Sequence, residues 1–279
     1  VSTTGDDESL TWSITAGNTD GDSDTNLPFA INSGTGAITV NDADDLDFET
    51  TTSYTLTVQA TDGTTADTED ITITITDVAP TVTDTSANLA ETAAANAAVV
   101  TVSTTGDDDG LTWSITAGNT DGDSDGELPF AIGASTGAIT VNDADDLDFE
   151  TTTSYTLTVQ ATDGTTADTE DITITITDVA PTVTDTSANL AETAADNAAV
   201  VTVSTTGDDD GLTWSITGGN TDGDTDGQLP FAIGANTGAI TVNDADDLDF
   251  ETTTSYTLTV RATDGTAADT EDITITITD

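Results

Sequence analysis

A block of 101 residues repeats along the chain, and this fixed period constrains the fold more than any other feature. Trp12, Trp113 and Trp214 mark the same position in successive copies. A long fixed period indicates an array of similar modules, and a unit of this length can bury its own core. The sequence therefore predicts three domains, at residues 1–77, 78–178 and 179–279.

The first copy is shorter than the other two. Val1 corresponds to Val102 inside the repeat, so copy one lacks the segment that would form a first strand. We therefore expect these residues to be a segment of a longer polypeptide, in which the array continues covalently in both directions. If these residues were the whole chain, the first copy would expose a sheet edge, and open edges invite pairing with another chain.

Acidic residues far outnumber basic ones. The chain has 54 Asp and Glu residues against one basic residue, Arg261, and its formal net charge is −53. Nucleic acids and anionic membranes are bound through clustered Lys and Arg, so we expect neither as a partner. No apolar run approaches the length of a membrane span, so we expect no direct membrane insertion in this segment. Salt bridges cannot neutralise these carboxylates, which favours a bound divalent cation. A solvated acidic surface suited to salty water is the alternative.

The inventory of reactive side chains argues against catalysis. The chain has no His, Cys or Lys, and so lacks a triad base, a thiolate and a Schiff-base amine. Paired carboxylates can hydrolyse glycosides. Acids are so frequent here, however, that two of them lying close together would indicate nothing. We expect the protein not to be an enzyme.

Apolar residues alternate with polar ones throughout each copy, which predicts an all-β fold. In the second copy isoleucine alternates with threonine over residues 172–177, and Tyr155 to Ala161 alternates in the same way. The Ala-rich stretch 91–99 is interpreted as the entry to a strand rather than a helix. About seven short strands per period indicate a Greek-key β-sandwich of immunoglobulin-like type, with Trp113 in its core.

A set of motifs follows the same order in each full period. In the second copy these are LAETA with Glu91, the acids 107–109 before LTWSI, PFAI with STGAI, LDFE at 147–150, ATDG at 161–164, and TDVAP. Over the whole period they resemble a cadherin repeat, and the chain resembles the tandem cadherin domains of a bacterial-type surface adhesin or filament. This implies an extended array of cadherin-like sandwiches at the cell surface, with Ca²⁺ between consecutive modules.

The resemblance also implies which acids hold the calcium. At each junction the module that comes earlier in the chain would contribute the first-strand Glu, the Asp and Glu of an LDRE-like run, and a linker acid. The module that follows it would contribute a D-x-D pair and the Asp of AxDxG. The first junction would use Asp47, Glu49, Asp77, Asp107, Asp109 and Asp163. The second would use Glu91, Asp148, Glu150, Asp178, Asp208, Asp210 and Asp264. Oxygen ligands in flexible geometry suit Ca²⁺.

The linker departs from the family pattern. Animal cadherin linkers read DxNDNxP, whereas this chain has Asp178-Val179-Ala180-Pro181. Because Ca²⁺ takes about six to eight oxygens, the shorter ligand set predicts about one or two ions per junction rather than three. The Phe of LDFE replaces an Arg, which removes no ligand.

A further acidic loop lies outside the cadherin pattern. Acids alternate with small residues and end at Gly in two copies, which is typical of the opening of a calcium loop. The candidate ligands are Asp121, Asp123 and Asp125, with Asp222, Asp224 and Asp226 in the third copy and Asp20, Asp22 and Asp24 in the first. Asp143, Asp145 and Asp146 either assist this loop or form an ordinary charged loop. The alternative for the whole feature is a solvated acidic hairpin.

These features favour a structural role over a binding or catalytic one. The preferred hypothesis is an extracellular, calcium-rigidified array within a surface adhesin or filament, in which the partners are further copies of the same repeat. The alternative is a carbohydrate-binding or spacer module of a larger secreted protein, with a cell-surface or carbohydrate target. The few aromatic residues occupy alternating positions typical of a core, which weakens the alternative.

Overall fold

The computed structural model describes residues 1–4, 9–107 and 109–279. Asp108, the middle acid of the run 107–109, lies outside these residues. The described residues form strands, turns and loops, without a helix. In these parts of the chain there is accordingly no helix long and apolar enough to cross a membrane.

The first copy contains two small sheets. They have the strand orders β1-β4-β5 and β2-β3. The strands are β1 (Thr11–Ala16), β2 (Phe29–Ile31), β3 (Ile38–Val40), β4 (Ser53–Thr61) and β5 (Ala66–Thr74).

The second and third copies have the same set of strands as each other. In the second copy they are β6 (Thr81–Val82), β7 (Ser86–Ala90), β8 (Ala98–Thr101), β9 (Thr104–Thr105), β10 (Thr112–Ala117), β11 (Phe130–Ile132), β12 (Ala138–Val141), β13 (Ser154–Thr162) and β14 (Ala167–Thr177). In the third they are β15 (Thr182–Val183), β16 (Ser187–Ala191), β17 (Ala199–Thr202), β18 (Thr205–Thr206), β19 (Thr213–Gly218), β20 (Phe231–Ile233), β21 (Ala239–Val242), β22 (Ser255–Thr263) and β23 (Ala268–Thr278).

Each of these copies is a sandwich of two main sheets, which confirms the predicted fold class. In the third copy a four-stranded sheet β16-β23-β22-β19 faces a three-stranded sheet β17-β21-β20, and the second copy has the same order. The first strand β16 runs parallel to the last strand β23. The pairs β6-β9 and β15-β18 are additional to the predicted strands, because segments of two residues are too short to show an alternation.

The core lies between the two sheets and follows the predicted alternation. Ile273, Ile275 and Ile277 of β23 are at most 1 % exposed, while the threonines between them face outward. Trp214 is buried against the same cluster. Fully burying one such side chain stabilises a fold by about 1.5–3 kcal/mol, so this core stabilises the sandwich of its own copy.

The described chain divides into two compact units. One contains Val1–Thr83, Ser103–Trp113 and Gln160–Glu170. The other contains Asp84–Val102, Ser114–Val159 and Asp171–Asp279. The acids predicted for the first junction all belong to the first unit, and those predicted for the second junction all belong to the second unit. Each candidate site can therefore be described within one unit.

Candidate metal centres

Four of the acids predicted for the first junction lie together. Glu49, Asp77, Asp107 and Asp163 each direct one carboxylate oxygen into a group whose members lie within 4.8 Å of one another. Glu49 precedes β4 and Asp77 follows β5, whereas Asp107 and Asp163 come from loops after β9 and β13. Two neighbouring copies therefore contribute acids to one cluster.

Local hydrogen bonds fix Asp163 within this cluster, whereas Asp77 has a buried oxygen without a partner among the described residues. Asp163 Oδ1 accepts bonds from the amides of Thr165 and Thr166, both at 2.7 Å. Burial opposes ionisation of Asp163, but these amides and the Thr166 hydroxyl outweigh it and lower its pKa. Asp77 Oδ1 is buried and has no hydrogen-bond partner among the described residues. Desolvation raises the pKa of Glu49, and the charges of Asp107 and Asp163 add to that increase.

The other two predicted acids of this junction take part in the turns beside the cluster. Asp47 Oδ1 accepts bonds from the amides of Glu49 and Thr50 at 2.8 and 3.2 Å. The Asp109 amide donates to Asp107 Oδ1 at 3.0 Å. The Asp47 contacts fix the turn that contains Glu49, and the Asp109 contact fixes the turn that contains Asp107.

The second junction is organised around a threonine hydroxyl. Thr266 Oγ1 lies 2.6 Å from Glu150 Oε1, 3.0 Å from Asp178 Oδ2 and 3.0 Å from Asp264 Oδ1. A hydroxyl carries one proton, so it cannot satisfy three carboxylate acceptors together. Three acids from two copies and their linker therefore converge on one hydroxyl, which can donate its proton to only one of them at a time.

Glu91, which directly follows β7, also belongs to the second junction. It forms a group with Asp148 and Glu150 whose ligand atoms lie within 4.8 Å of one another. Its two carboxylate oxygens accept bonds from the Val179 amide at 2.5 Å and the Phe149 amide at 2.9 Å. Glu91 therefore connects the end of β7 to the LDFE run and to the linker.

Burial and mutual repulsion disfavour the ionised form of three carboxyl groups at the second junction. Burial raises the pKa of Glu91, and the two amides only partly oppose that shift. Burial also raises the pKa of Asp208, with repulsion from Asp210, Glu150 and Asp264. The pKa of Asp210 is raised by burial and then by nearby acids that include Asp148.

Two buried oxygens of this junction are left without partners. Asp208 Oδ2 and Asp264 Oδ2 make no hydrogen bond to the part of the chain that is described. Asp264 Oδ1 accepts two amide bonds, from Thr266 and Ala267, both at 2.7 Å. These amides outweigh the opposing effect of burial and lower the Asp264 pKa. A divalent cation with oxygen ligands fits this donor set, since the sequence offers one basic side chain, Arg261.

The acidic loops form a second type of cluster. In the second copy Asp121, Asp123 and Asp125 direct oxygens to within 4.8 Å of one another, and Asp20, Asp22 and Asp24 do so in the first. Asp121 accepts the amides of Ser124 at 2.5 Å and Gly126 at 2.9 Å. In the third copy Asp222 accepts the corresponding amides of Thr225 and Gly227, and Asp224 accepts the Asp226 amide.

Two buried acids accompany the acidic loop, and their role could not be decided from the sequence. Asp143 and Asp146 form a group with Asp123 under the same 4.8 Å limit. Both are buried, at 8 and 4 % exposure. The exposed Asp145 keeps the same offset from the LDFE run in every copy, so the sequence offered no signal that separates the buried acids from it.

The comparisons with known proteins agree with the fold. The family model for the cadherin domain matches residues 1–76, 85–177 and 186–278. The cadherin EGF LAG seven-pass G-type receptor 2 of Mus musculus is 34 % identical over 254 residues, and that of Homo sapiens is 33 % identical over the same length. Each alignment covers 85 % of this chain but 8 % of the receptor, so the chain spans a small part of these curated relatives.

Solved structures of cadherin repeats also match the chain. The EC1–3 repeats of Drosophila N-cadherin match with a TM-score of 0.39 and 20 % identity, covering 100 % of this chain and 91 % of that one. The EC1–3 repeats of mouse protocadherin-24 match with a TM-score of 0.34 and 23 % identity, covering 97 % and 91 %. The three matches to the family model account for most of the sequence, and the chain belongs to the cadherin domain family.

Proposed function

We propose that the chain is a calcium-stiffened array of three cadherin modules, within residues 1–77, 78–178 and 179–279, that acts as an extracellular structural or adhesive element. The observation that carries this proposal is the convergence of Glu150, Asp178 and Asp264 on the single hydroxyl of Thr266. The role is structural rather than catalytic. The partners proposed are further copies of the same repeat, in a surface adhesin or filament.

The proposed calcium ligands come from both modules that meet at a junction. At the second junction Glu91 and Glu150 belong to one copy, Asp208 and Asp264 belong to the next, and Asp178 lies in the linker. An ion bound by all of them would couple the two modules, because its ligands could not separate without giving up coordination. Only the folded junction brings these ligands together, so calcium at about 100 times its Kd would add about 2.7 kcal/mol of stability.

The carbohydrate-binding alternative has less support. Sugar recognition on a sandwich uses exposed aromatic rings, whereas Trp214, Phe231 and Tyr256 are all buried in the core of the third copy. Phe231 and Tyr256 are also engaged with each other, edge to face, with ring centroids 5.1 Å apart. These side chains are not available to stack on a sugar.

Small-angle scattering with calcium and with chelator tests the proposal. We expect the maximum dimension to be longer and better defined with calcium, while circular dichroism shows that the strands persist in both conditions. An identical scattering profile in the two conditions would contradict the stiffening role.

A matched pair of variants links that result to the ligands. Asp148→Asn with Glu150→Gln keeps the side-chain shapes and removes two charges at the second junction. Asp84→Asn with Asp185→Asn removes the same charge from exposed positions. The first pair should weaken the calcium response of the scattering profile, and the second should preserve it. Equal responses from both pairs would refute this ligand assignment.

A further inference from the structure

We propose that each acidic loop, together with the buried acids beneath it, forms a second type of divalent-cation site that lies inside the module and is separate from the junctions. In the second copy the ligands are Asp121, Asp123 and Asp125 of the loop with the buried Asp143 and Asp146. In the third copy they are Asp222, Asp224, Asp226, Asp244 and Asp247. The ion class is a hard cation with oxygen ligands, and Ca²⁺ is the best fit.

Buried oxygens without partners carry this proposal. Asp143 Oδ2 and Asp146 Oδ2 are buried and accept no hydrogen bond from any described residue, and the same is true of Asp244 Oδ2 and Asp247 Oδ2 in the third copy. Their residues are between 4 and 8 % exposed. An unsatisfied buried carboxylate oxygen is costly, and its repeated occurrence beside a cluster of loop acids favours the binding of a cation there.

The buried Asp146 is aimed at the acidic loop by fixed contacts on both sides. Its Oδ1 accepts the amides of Gly122 at 2.6 Å and Asp123 at 3.2 Å. Its own carbonyl accepts the hydroxyl of the buried Tyr155 at 2.6 Å. A Cβ on Gly122 would lie 3.0 Å from that Oδ1, so glycine permits the close approach of the loop. The core therefore positions Asp146 directly beneath the loop.

The same arrangement recurs in the third copy. Asp247 Oδ1 accepts the amides of Gly223 and Asp224 at 2.6 and 3.0 Å. In the second copy the carboxylate oxygens of Asp123, Asp143 and Asp146 lie within 4.8 Å of one another, so a loop acid and the buried acids are close enough to repel. A cation between them would remove that repulsion.

The ligand chemistry selects calcium among common cations. All the candidate ligands are carboxylate oxygens, which excludes a site built for soft metals. They come from a loop and from the segment before the LDFE run, so their geometry can adapt. Ca²⁺ accepts about six to eight oxygens in adaptable geometry, whereas Mg²⁺ demands a near-ideal octahedron.

The first copy is the weakest version of this site. Asp45 Oδ2 is again buried without a partner in the described residues. However, Asp42, which corresponds to Asp143, is only half-buried. Thr25 replaces Gly126 and adopts a φ of 83°, a conformation that is strained for a β-branched residue. We expect this loop to bind calcium less tightly than the other two.

This site would do something that the junctions do not. It would fix the acidic loop to the sandwich of its own module, so a single module would respond to calcium even without a neighbour. The proposal does not depend on calcium at the junctions, because the two sets of acids share no residue.

Calcium titration of the full chain by calorimetry tests the proposal. The variant is Asp146→Asn with Asp247→Asn, which retains an oxygen acceptor for the loop amides and removes one buried charge from each of two loops. The control is Asp84→Asn with Asp185→Asn. We expect the variant to bind about two fewer Ca²⁺ per chain than the parent, one for each altered loop, and the control to bind as many as the parent.

Thermal unfolding gives a second readout. In chelator the variant should unfold at the same or a higher temperature than the parent, because an unpartnered buried charge has been removed. Calcium should raise the unfolding temperature of the variant by less than it raises that of the parent. If the variant fails to fold by circular dichroism, Asp123→Asn with Asp224→Asn alters exposed loop acids instead and should lose the same ions. A folded variant with the parent's stoichiometry would overturn the proposal.

The junctions are tested separately in the same titration. Glu150→Gln with Asp178→Asn should remove only junction ions. If that variant keeps every ion while the loop variant loses two, the junction proposal fails and the loop site stands. If the loop variant keeps every ion while the junction variant loses ions, the loop-site proposal fails and the junction proposal stands.

Discussion

Replacing Glu91 by Ala in the absence of calcium should release the linker from the second module. Glu91 is 6 % exposed, and its carboxylate accepts two backbone amides, those of Val179 and Phe149. A hydrogen bond to a charged group contributes about 1.5–3 kcal/mol. Both donors are half-buried and can partly hydrate, and burial together with the charges of Asp208 and Glu150 disfavours ionised Glu91. We therefore expect a net loss of about 2–3 kcal/mol, which is less than the sum for two such bonds.

The third copy supplies a matched control. Glu192 occupies the same position, and its carboxylate accepts the Phe250 amide at 3.0 Å. The position equivalent to Val179 would be residue 280, so in a chain of residues 1–279 Glu192 makes one such bond, and Glu192→Ala should cost about 1–1.5 kcal/mol. A domain of about 100 residues shifts its Tm by about 4–8 °C per kcal/mol, so calorimetry of the full chain in chelator resolves the difference.

Hydrogen exchange assigns the effect to the linker. Glu91→Ala should accelerate exchange at the Val179 amide, whereas Glu192→Ala should leave that amide protected. If Glu192→Ala costs as much stability as Glu91→Ala, or if exchange at Val179 is unchanged, then Glu91 does not tether the linker.

Three further results are expected. In chelator, because the pKa values of Glu91 and Asp208 are raised on folding, thermal melts should show stability increasing as the pH falls from neutral towards the ordinary pKa values of 4.5 and 3.8. Below that range the lowered pKa of Asp264 acts in the opposite direction, so stability should fall again. Thr25→Gly should stabilise the first copy by about 1–2 kcal/mol by relieving its positive φ, measured by denaturant unfolding. Ile275→Ala removes a fully buried side chain and should cost about 2–5 kcal/mol in the same assay, with or without calcium.

The fold could be predicted because its signal is local. Ile172, Ile174 and Ile176 alternate with threonine, and this pattern alone identifies β14 as a half-buried strand. The two-residue strands β6 and β9 could not be predicted, since they depend on pairing between segments that are distant in sequence. The parallel pairing of β7 with β14 is likewise a tertiary feature.

The sequence likewise indicated only part of the candidate sites, because the rest depends on tertiary contacts. Motif order implied the acids of both junctions, but it gave no indication that Thr266 would lie among three of them. In a chain with so many acids, sequence alone could not distinguish the buried Asp146 from its exposed neighbours. In the structure the buried Tyr155 donates its hydroxyl to the Asp146 carbonyl, which holds Asp146 against the core. Burial, rather than composition, therefore distinguishes the acids that we propose as the inner ligands of the loop site.

The measurement that tests this account most directly is calcium binding by the full chain at low and high salt. Calcium held by converging carboxylates should bind saturably, at a fixed stoichiometry that persists in about 1 M NaCl, where the Debye length falls to about 3 Å. Diffuse counterions around a chain with a net charge of −53 would instead be displaced by salt. Calcium uptake that never saturates and disappears at high salt would contradict the claim that these acidic clusters are metal sites.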